Sequence, residues 1–224
     1  MIFEIEDKNY YDRKLFDKKS FEIQPGITFL VGPNGSGKST LLRHIKSTIE
    51  IKNRDYDEDD EKIPVIFYDN NSEGGSAARS NYGFYGNIMA LAESFSSSEG
   101  ENVKNDMCNI LVSEMHKRIH KSNCKEAFIL LDGIDSGVSI DQIRDFKDFF
   151  DFVLSKEPNK NIYIVISANS FEMVRNERCI CATTLTEKTF KTYGNFERYI
   201  MKMRSKKDKY IESYNSKNKH KEDN

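Results

Sequence analysis

Four short runs dominated by apolar residues punctuate the chain: Ile27 to Val31, Ile63 to Tyr68, Ala127 to Leu131 and Ile162 to Ile166. Runs of this length, rich in β-branched residues, predict strands buried on both faces. Between them the period changes. Leu41, Leu42, Ile45 and Ile49 recur at helical spacing. So do Val103, Met107, Ile110, Leu111, Met115 and Ile119, and again Ile140, Ile143, Phe146, Phe149, Phe150, Val153 and Leu154. Buried strands alternating with amphipathic helices predict an α/β domain with a mainly parallel core sheet between helical layers.

Weaker patterns fill in the rest. Met1 to Glu6 alternates apolar and acidic residues, and with about 20–24 predicts a small antiparallel β part at the N-terminus. Pro25-Gly26 is a turn leading into the strand at 27–31. The acidic run 55–61 reads as a solvated loop, and Asp69 to Gly83 as a mobile connector. A short helix over 86–95 completes a short helical subdomain. A serine before residue 99 caps the next helix, and Ser139-Ile140-Asp141-Gln142 forms a capping box. Strands recur around 178–183 and 188–192, followed by a helix over about 195–213. From Lys202 onward the chain is polar and basic, read as a solvated helix passing into a disordered tail. The division expected is therefore a domain over 1–200 and a basic polar helix or tail over 201–224.

The 224 residues, 38% hydrophobic and 31% charged, suffice for one sizeable core. A formal net charge of −2 gives no global field for nucleic acid or an acidic membrane. No apolar run approaches the length of a membrane span, and the N-terminus lacks the pattern of a signal peptide. Four cysteines in a chain this long do not suggest a disulfide scaffold, so the expected setting is cytoplasmic. His116, His120 and Cys124 fall at i, i+4 and i+8, a spacing that could form a metal stripe, but the preferred reading is a helix end exposing two histidines.

The chemistry concentrates at Gly32-Pro33-Asn34-Gly35-Ser36-Gly37-Lys38-Ser39-Thr40, which fits G-x-x-x-x-G-K-[ST]. A strand precedes it and a helix follows it, as a phosphate-cradling loop requires. Glycines let successive N–H groups turn inward around an anion. Residues Asn34, Gly35, Ser36, Gly37, Lys38, Ser39 and Thr40 are thus predicted to bind a nucleotide, with Lys38 on the β- and γ-phosphates and Ser39 on Mg²⁺. The apolar strand 127–131 ends in Asp132, the second predicted metal residue. Together these features predict a P-loop NTPase sandwich of three layers. Tyr10, Tyr11 and Phe16 could stack on adenine or merely pack on the sheet.

Four landmarks in this order resemble the ATP-binding-cassette (ABC) ATPases: GPNGSGKST at 32–40, Ser97-Ser98-Glu99-Gly100-Glu101 at the place of the family's signature, LLDGIDSG at 130–137, and IVISANS at 164–170 at the place of its switch-histidine loop. The wording is closest to the soluble branch, which includes SMC and DNA-repair heads and small "AAA family" ATPases of bacterial mobile elements and defence systems. The resemblance implies a head-to-tail homodimer with two ATP molecules sandwiched between the P-loop of one subunit and the signature of the other. Ser98, Glu99, Gly100 and Glu101 would then face the partner's ATP, and Asp135, Ser136 and Gly137 would lie on the seam.

Three positions depart from that family. The glutamate expected after Asp132 is Gly133, the switch histidine is Asn169, and Asp69, Asn70 and Asn71 stand where a glutamine belongs. Loss of a general base slows a reaction by about 10²–10⁴-fold. The expectation is an ATP- and Mg²⁺-binding protein with slow or conditional hydrolysis, for which Asp135, Asn169, Glu99 and Glu101 are the catalytic candidates. With no room for a coiled coil between Thr40 and residue 97, the chain reads as a compact head acting as a nucleotide switch for a protein or nucleic-acid partner. The alternatives are the ATP-binding subunit of a membrane transporter and a non-catalytic regulatory subunit of a heterodimeric ATPase.

Overall fold

The computed structural model describes residues 1–5, 9–10, 13–14, 16–54, 62–70 and 99–222. The acidic run 55–61, nearly all of the connector, the short helix expected over 86–95 with its subdomain, and Ser97 and Ser98 lie outside these residues.

The elements in order are β1 (Ile2–Glu4), β2 (Asn9–Tyr10), β3 (Arg13–Lys14), β4 (Ser20–Glu22), β5 (Gly26–Val31), α1 (Lys38–Lys52), β6 (Val65–Asp69), α2 (Glu99–Met115), β7 (Glu126–Asp132), α3 (Ile140–Lys156), β8 (Asn161–Ala168), α4 (Phe171–Val174), β9 (Cys179–Cys181), β10 (Glu187–Lys188) and α5 (Tyr193–Glu222). A π-helical turn, His116–His120, continues α2. Six strands form one sheet in the order β10-β9-β5-β8-β7-β6, parallel throughout except for the β9–β10 edge. β1 and β4 form a separate antiparallel pair, as do β2 and β3. This is the mixed α/β architecture that the alternating runs predict, with its small antiparallel part in the expected place.

Alternation along each strand divides the core into two layers. Phe29, Val31, Ile129, Leu131, Ile162, Ile164 and Ile166 face one side, with Met107 and Leu111 of α2 and Ile143, Phe146, Phe150 and Val153 of α3. Leu30, Phe128, Leu130, Tyr163 and Val165 face the other, with Leu41, Leu42, Ile45 and Ile49 of α1 and Phe3 and Phe21 of the β1–β4 pair. Apolar residues on both faces follow from a sheet covered by helices on both sides. Phe128 and Tyr163 stack across β7 and β8 with centroids 4.3 Å apart.

Two boundaries differ from the periodicity. Ile140 continues the α3 stripe in sequence but is 69% exposed, because it occupies the first helical position, before the helix turns its stripe onto the sheet. The Gln142 side-chain Oε1 accepts the Ser139 N–H at 3.0 Å, the bond of the expected capping box. The last helix runs from Tyr193 to Glu222, beyond the 195–213 expected at both ends. Its first turns are anchored by buried Phe196 and Tyr199, with Ile200 and Met203 packed against the same core.

Cys179 and Cys181 both face that core, as their spacing suggests, and burial pushes the Cys179 thiol up to about 12. No described helix is long and apolar enough to cross a membrane.

Candidate functional site

Val31, the last residue of β5, is held between Ala168 of β8 and Cys181 of β9. Its carbonyl accepts the Ala182 N–H at 2.8 Å. From this fixed point the chain turns through residues 32–37 into α1. Gly35 and Gly37 have φ of +73° and +94°, a backbone conformation that side chains resist. Glycine is required at 32 for a different reason: a Cβ there would lie 2.4 Å from Ser36 Oγ. The Ser36 N–H closes the turn on the Pro33 carbonyl at 3.1 Å, and the helix begins with Leu41 N–H on the Gly37 carbonyl at 2.9 Å. The amides opening such a helix have no helical acceptors and face the mouth of the turn.

Lys38 is buried, its ammonium donating to the Gly32 carbonyl at 2.6 Å. Burial lowers its pKa, and the carboxylates of Asp135 and then Asp132 oppose that shift. Ser36 Oγ is buried beside it and has no partner among the described residues.

The facing wall comes from the ends of β7 and β8. Their register pairs Leu131 with Ile166, so Asp132 stands beside Ser167. Ser167 Oγ donates to Asp132 Oδ1 at 2.5 Å and accepts the Gly133 N–H at 2.9 Å. Gly133 has φ +69°, and its carbonyl accepts Asn70 Nδ2 at 3.2 Å. Asp135 is buried and turned to the next loop. Its Oδ2 accepts the N–H groups of Asn169 and Ser170 at 2.6 and 2.8 Å, and its Oδ1 accepts Asn169 Nδ2 at 3.2 Å.

The two walls enclose a cleft of about 370 Å³ lined by residues 34–40 with Asp132, Gly133, Ser136, Ser167 and Asn169. It therefore gathers the seven predicted loop residues, Asp132 and Asn169. Asp135 lies behind the lining, holding Asn169. Glu99 and Gly100 open α2, the Glu99 side chain lying outside the described residues, and Glu101 is exposed on the same turn. Ser98 is outside altogether. Of the adenine-stacking candidates, Phe16 is buried in the core, while Tyr11 and the ring of Tyr10 are outside the described residues.

His116 and His120 stack at 5.7 Å, and His120 pairs with Glu157 at 2.9 Å. No group of three metal-ligating side chains occurs among the described residues.

Sequence reasoning missed Ser167; it named Ser136 for the seam and Asn70 at the place of a missing glutamine, and neither as part of this cleft. Ser167 was readable only by aligning the ends of two strands distant in sequence, which gives it the same depth as Asp132.

The chemistry of the cleft suits a metal-bound polyphosphate. It offers inward amides, one buried ammonium, an unpartnered hydroxyl, and the Ser39 hydroxyl and Asp132 carboxylate as hard oxygen donors for Mg²⁺. A family model described as an AAA domain matches residues 22–173, from β4 into α4. No curated protein matches the chain.

Proposed function

This chain belongs to the AAA-domain family of P-loop ATPases, and from that premise we propose that it is an ABC-type nucleotide switch that binds Mg-ATP and hydrolyses it slowly or conditionally. Residues 34–40 would cradle the phosphates, and Lys38 would exchange its backbone acceptor for the β- and γ-phosphate oxygens. Ser39 and Asp132 would hold Mg²⁺, which when bound neutralises the terminal phosphates. Two copies would close head to tail over two ATP molecules, with Ser98 to Glu101 of each reaching the other's γ-phosphate. The closed state would engage a protein or nucleic-acid partner, and a mobile-element or defence setting fits the wording of the motifs.

The observation that carries slow hydrolysis is Gly133. The water-activating glutamate that ABC ATPases carry is missing there, and the left-handed turn sends the backbone N–H to Ser167. Asn169, in place of the switch histidine, is tied to Asp135 through both its backbone and its side chain. With three N–H donors on its carboxylate, Asp135 serves as a positioning residue rather than a free base. The same two departures favour a second reading, a regulatory subunit whose partner brings the missing glutamate and histidine.

Titration calorimetry and turnover of the purified protein test this. Binding of Mg-ATP at micromolar levels, turnover well below 1 s⁻¹, and a shift to dimer on adding Mg-ATP are expected. Turnover near 1 s⁻¹ or faster that Lys38→Ala abolishes would overturn the slow-catalyst reading. Absence of any ATP-dependent dimer would remove the sandwich.

A further inference from the structure

The last helix reaches the phosphate-cradling loop from outside the family-matched region. In α5, Phe196, Tyr199, Ile200 and Met203 form the stripe packed on the core, and the next position on that stripe is Lys207. Apolar spacing thus delivers a lysine where a further apolar anchor would fall. Lys207 is half-buried while Arg204, Ser205, Lys206, Asp208 and Lys209 around it are exposed. Its ammonium donates to the Asn34 carbonyl at 2.9 Å. It also sits against Gly35, where a Cβ would lie 2.7 Å from Lys207 Nζ. Gly35 falls at a position the G-x-x-x-x-G-K pattern leaves free. In this chain it combines a φ of +73° with room for this ammonium.

Asn34 and Gly35 both line the cleft, and Lys38 is the one cation among its described lining residues. A nucleoside triphosphate carries about four negative charges, more than Mg²⁺ and one lysine neutralise. Resting on the reading of this cleft as a Mg-ATP site, we infer that Lys207 is a second phosphate-binding cation, supplied by the C-terminal helix of the same chain to the terminal phosphates of ATP. The long side chain moves from a carbonyl on the rim to an anion in the mouth, a stronger acceptor. The helix is placed for this by the Tyr199 hydroxyl, 3.5 Å from the Val31 carbonyl, and by Lys206 on Asp17 at 3.3 Å.

Calorimetry with adenylyl-imidodiphosphate and with ADP, each with Mg²⁺, tests the inference on the full chain. Lys207→Ala is expected to weaken binding of the triphosphate analogue about tenfold, the worth of one charge-assisted hydrogen bond. ADP binding should change about twofold or less, Lys207→Arg should retain most of the affinity, and Lys209→Ala, at an exposed position two residues on, should bind as wild type does. Unchanged or tighter triphosphate binding by Lys207→Ala overturns the inference, as does an equal loss for ADP. Melting temperature checks that the variant is folded. If the wild-type protein itself binds neither nucleotide, it is the Mg-ATP reading that fails, a result distinct from a null effect of Lys207.

Discussion

The two walls of the cleft are built by different means. The wall at 32–40 is made of backbone: two left-handed glycines, a helix start and one buried lysine held by carbonyls. The wall at the ends of β7 and β8 is made of side chains bonded to the chain beside them: Asp132 to Ser167, Asp135 to Asn169 and Ser170, Asn70 to Gly133. A backbone cradle grips any phosphate presented to it, whereas a side-chain wall decides what is done with it. The first wall turns its donors into the cleft, whereas in the second Asp135, Ser167 and Asn70 are engaged in holding loops.

The sharpest break between the walls comes from Lys38→Met. It should weaken Mg-ATP binding by about 100-fold or more in calorimetry, since the phosphates lose their buried charged donor. Asp135→Ala acts on the other wall. Three N–H contacts go, and unfolding free energy should fall by about 2–3 kcal/mol, a loss of about 4–12 °C in melting temperature. Its affinity for Mg-ATP should stay within a few-fold of wild type if Asp135 only positions Asn169. A large selective loss of binding there would erase the distinction drawn between the walls.

Smaller again is Gly133→Glu, which would appear to restore the missing base. At φ +69° it carries a strain of about 1–2 kcal/mol and should not raise ATP turnover. A gain of tenfold would show that the turn adapts.

The smallest effect is on pH dependence. Burial lowers the pKa of Lys38 in the folded state, so between that value and the ordinary 10.5 the unfolded chain binds more protons. Stability of the wild type relative to Lys38→Met should therefore rise as pH increases through this window. Paired denaturant titrations from neutral pH to about 10.5 would read the slope.

The contrast also explains what the sequence could convey. Gly35, Gly37 and Lys38 lie within a few residues of one another, so spacing alone reports their geometry. Asp132 was legible because an apolar run ends on it. Ser167 was not, since its place beside Asp132 depends on the register of β7 against β8, thirty-five positions apart in the chain. Asp135 was read as a possible base because its type permits that role, and only coordinates show its carboxylate committed to Asn169 and Ser170. Lys207 escaped for another reason. It continues the stripe of Ile200 and Met203, but its charge made the helix read as solvated from Lys202 onward.

β8 lies between the strand that carries the loop and the strand that carries the acid. With strands about 4.8 Å apart, it sets β5 and β7 about 10 Å from each other. Whatever spans that gap rests on the end of β8. The chain leaving it enters Phe171–Val174, and the Phe171 ring lies 6.0 Å from Phe196 on the longest helix among the described residues. The middle of the sheet thus meets the base of a thirty-residue arm, so a shift at the end of β8 would reach that arm through two aromatic rings.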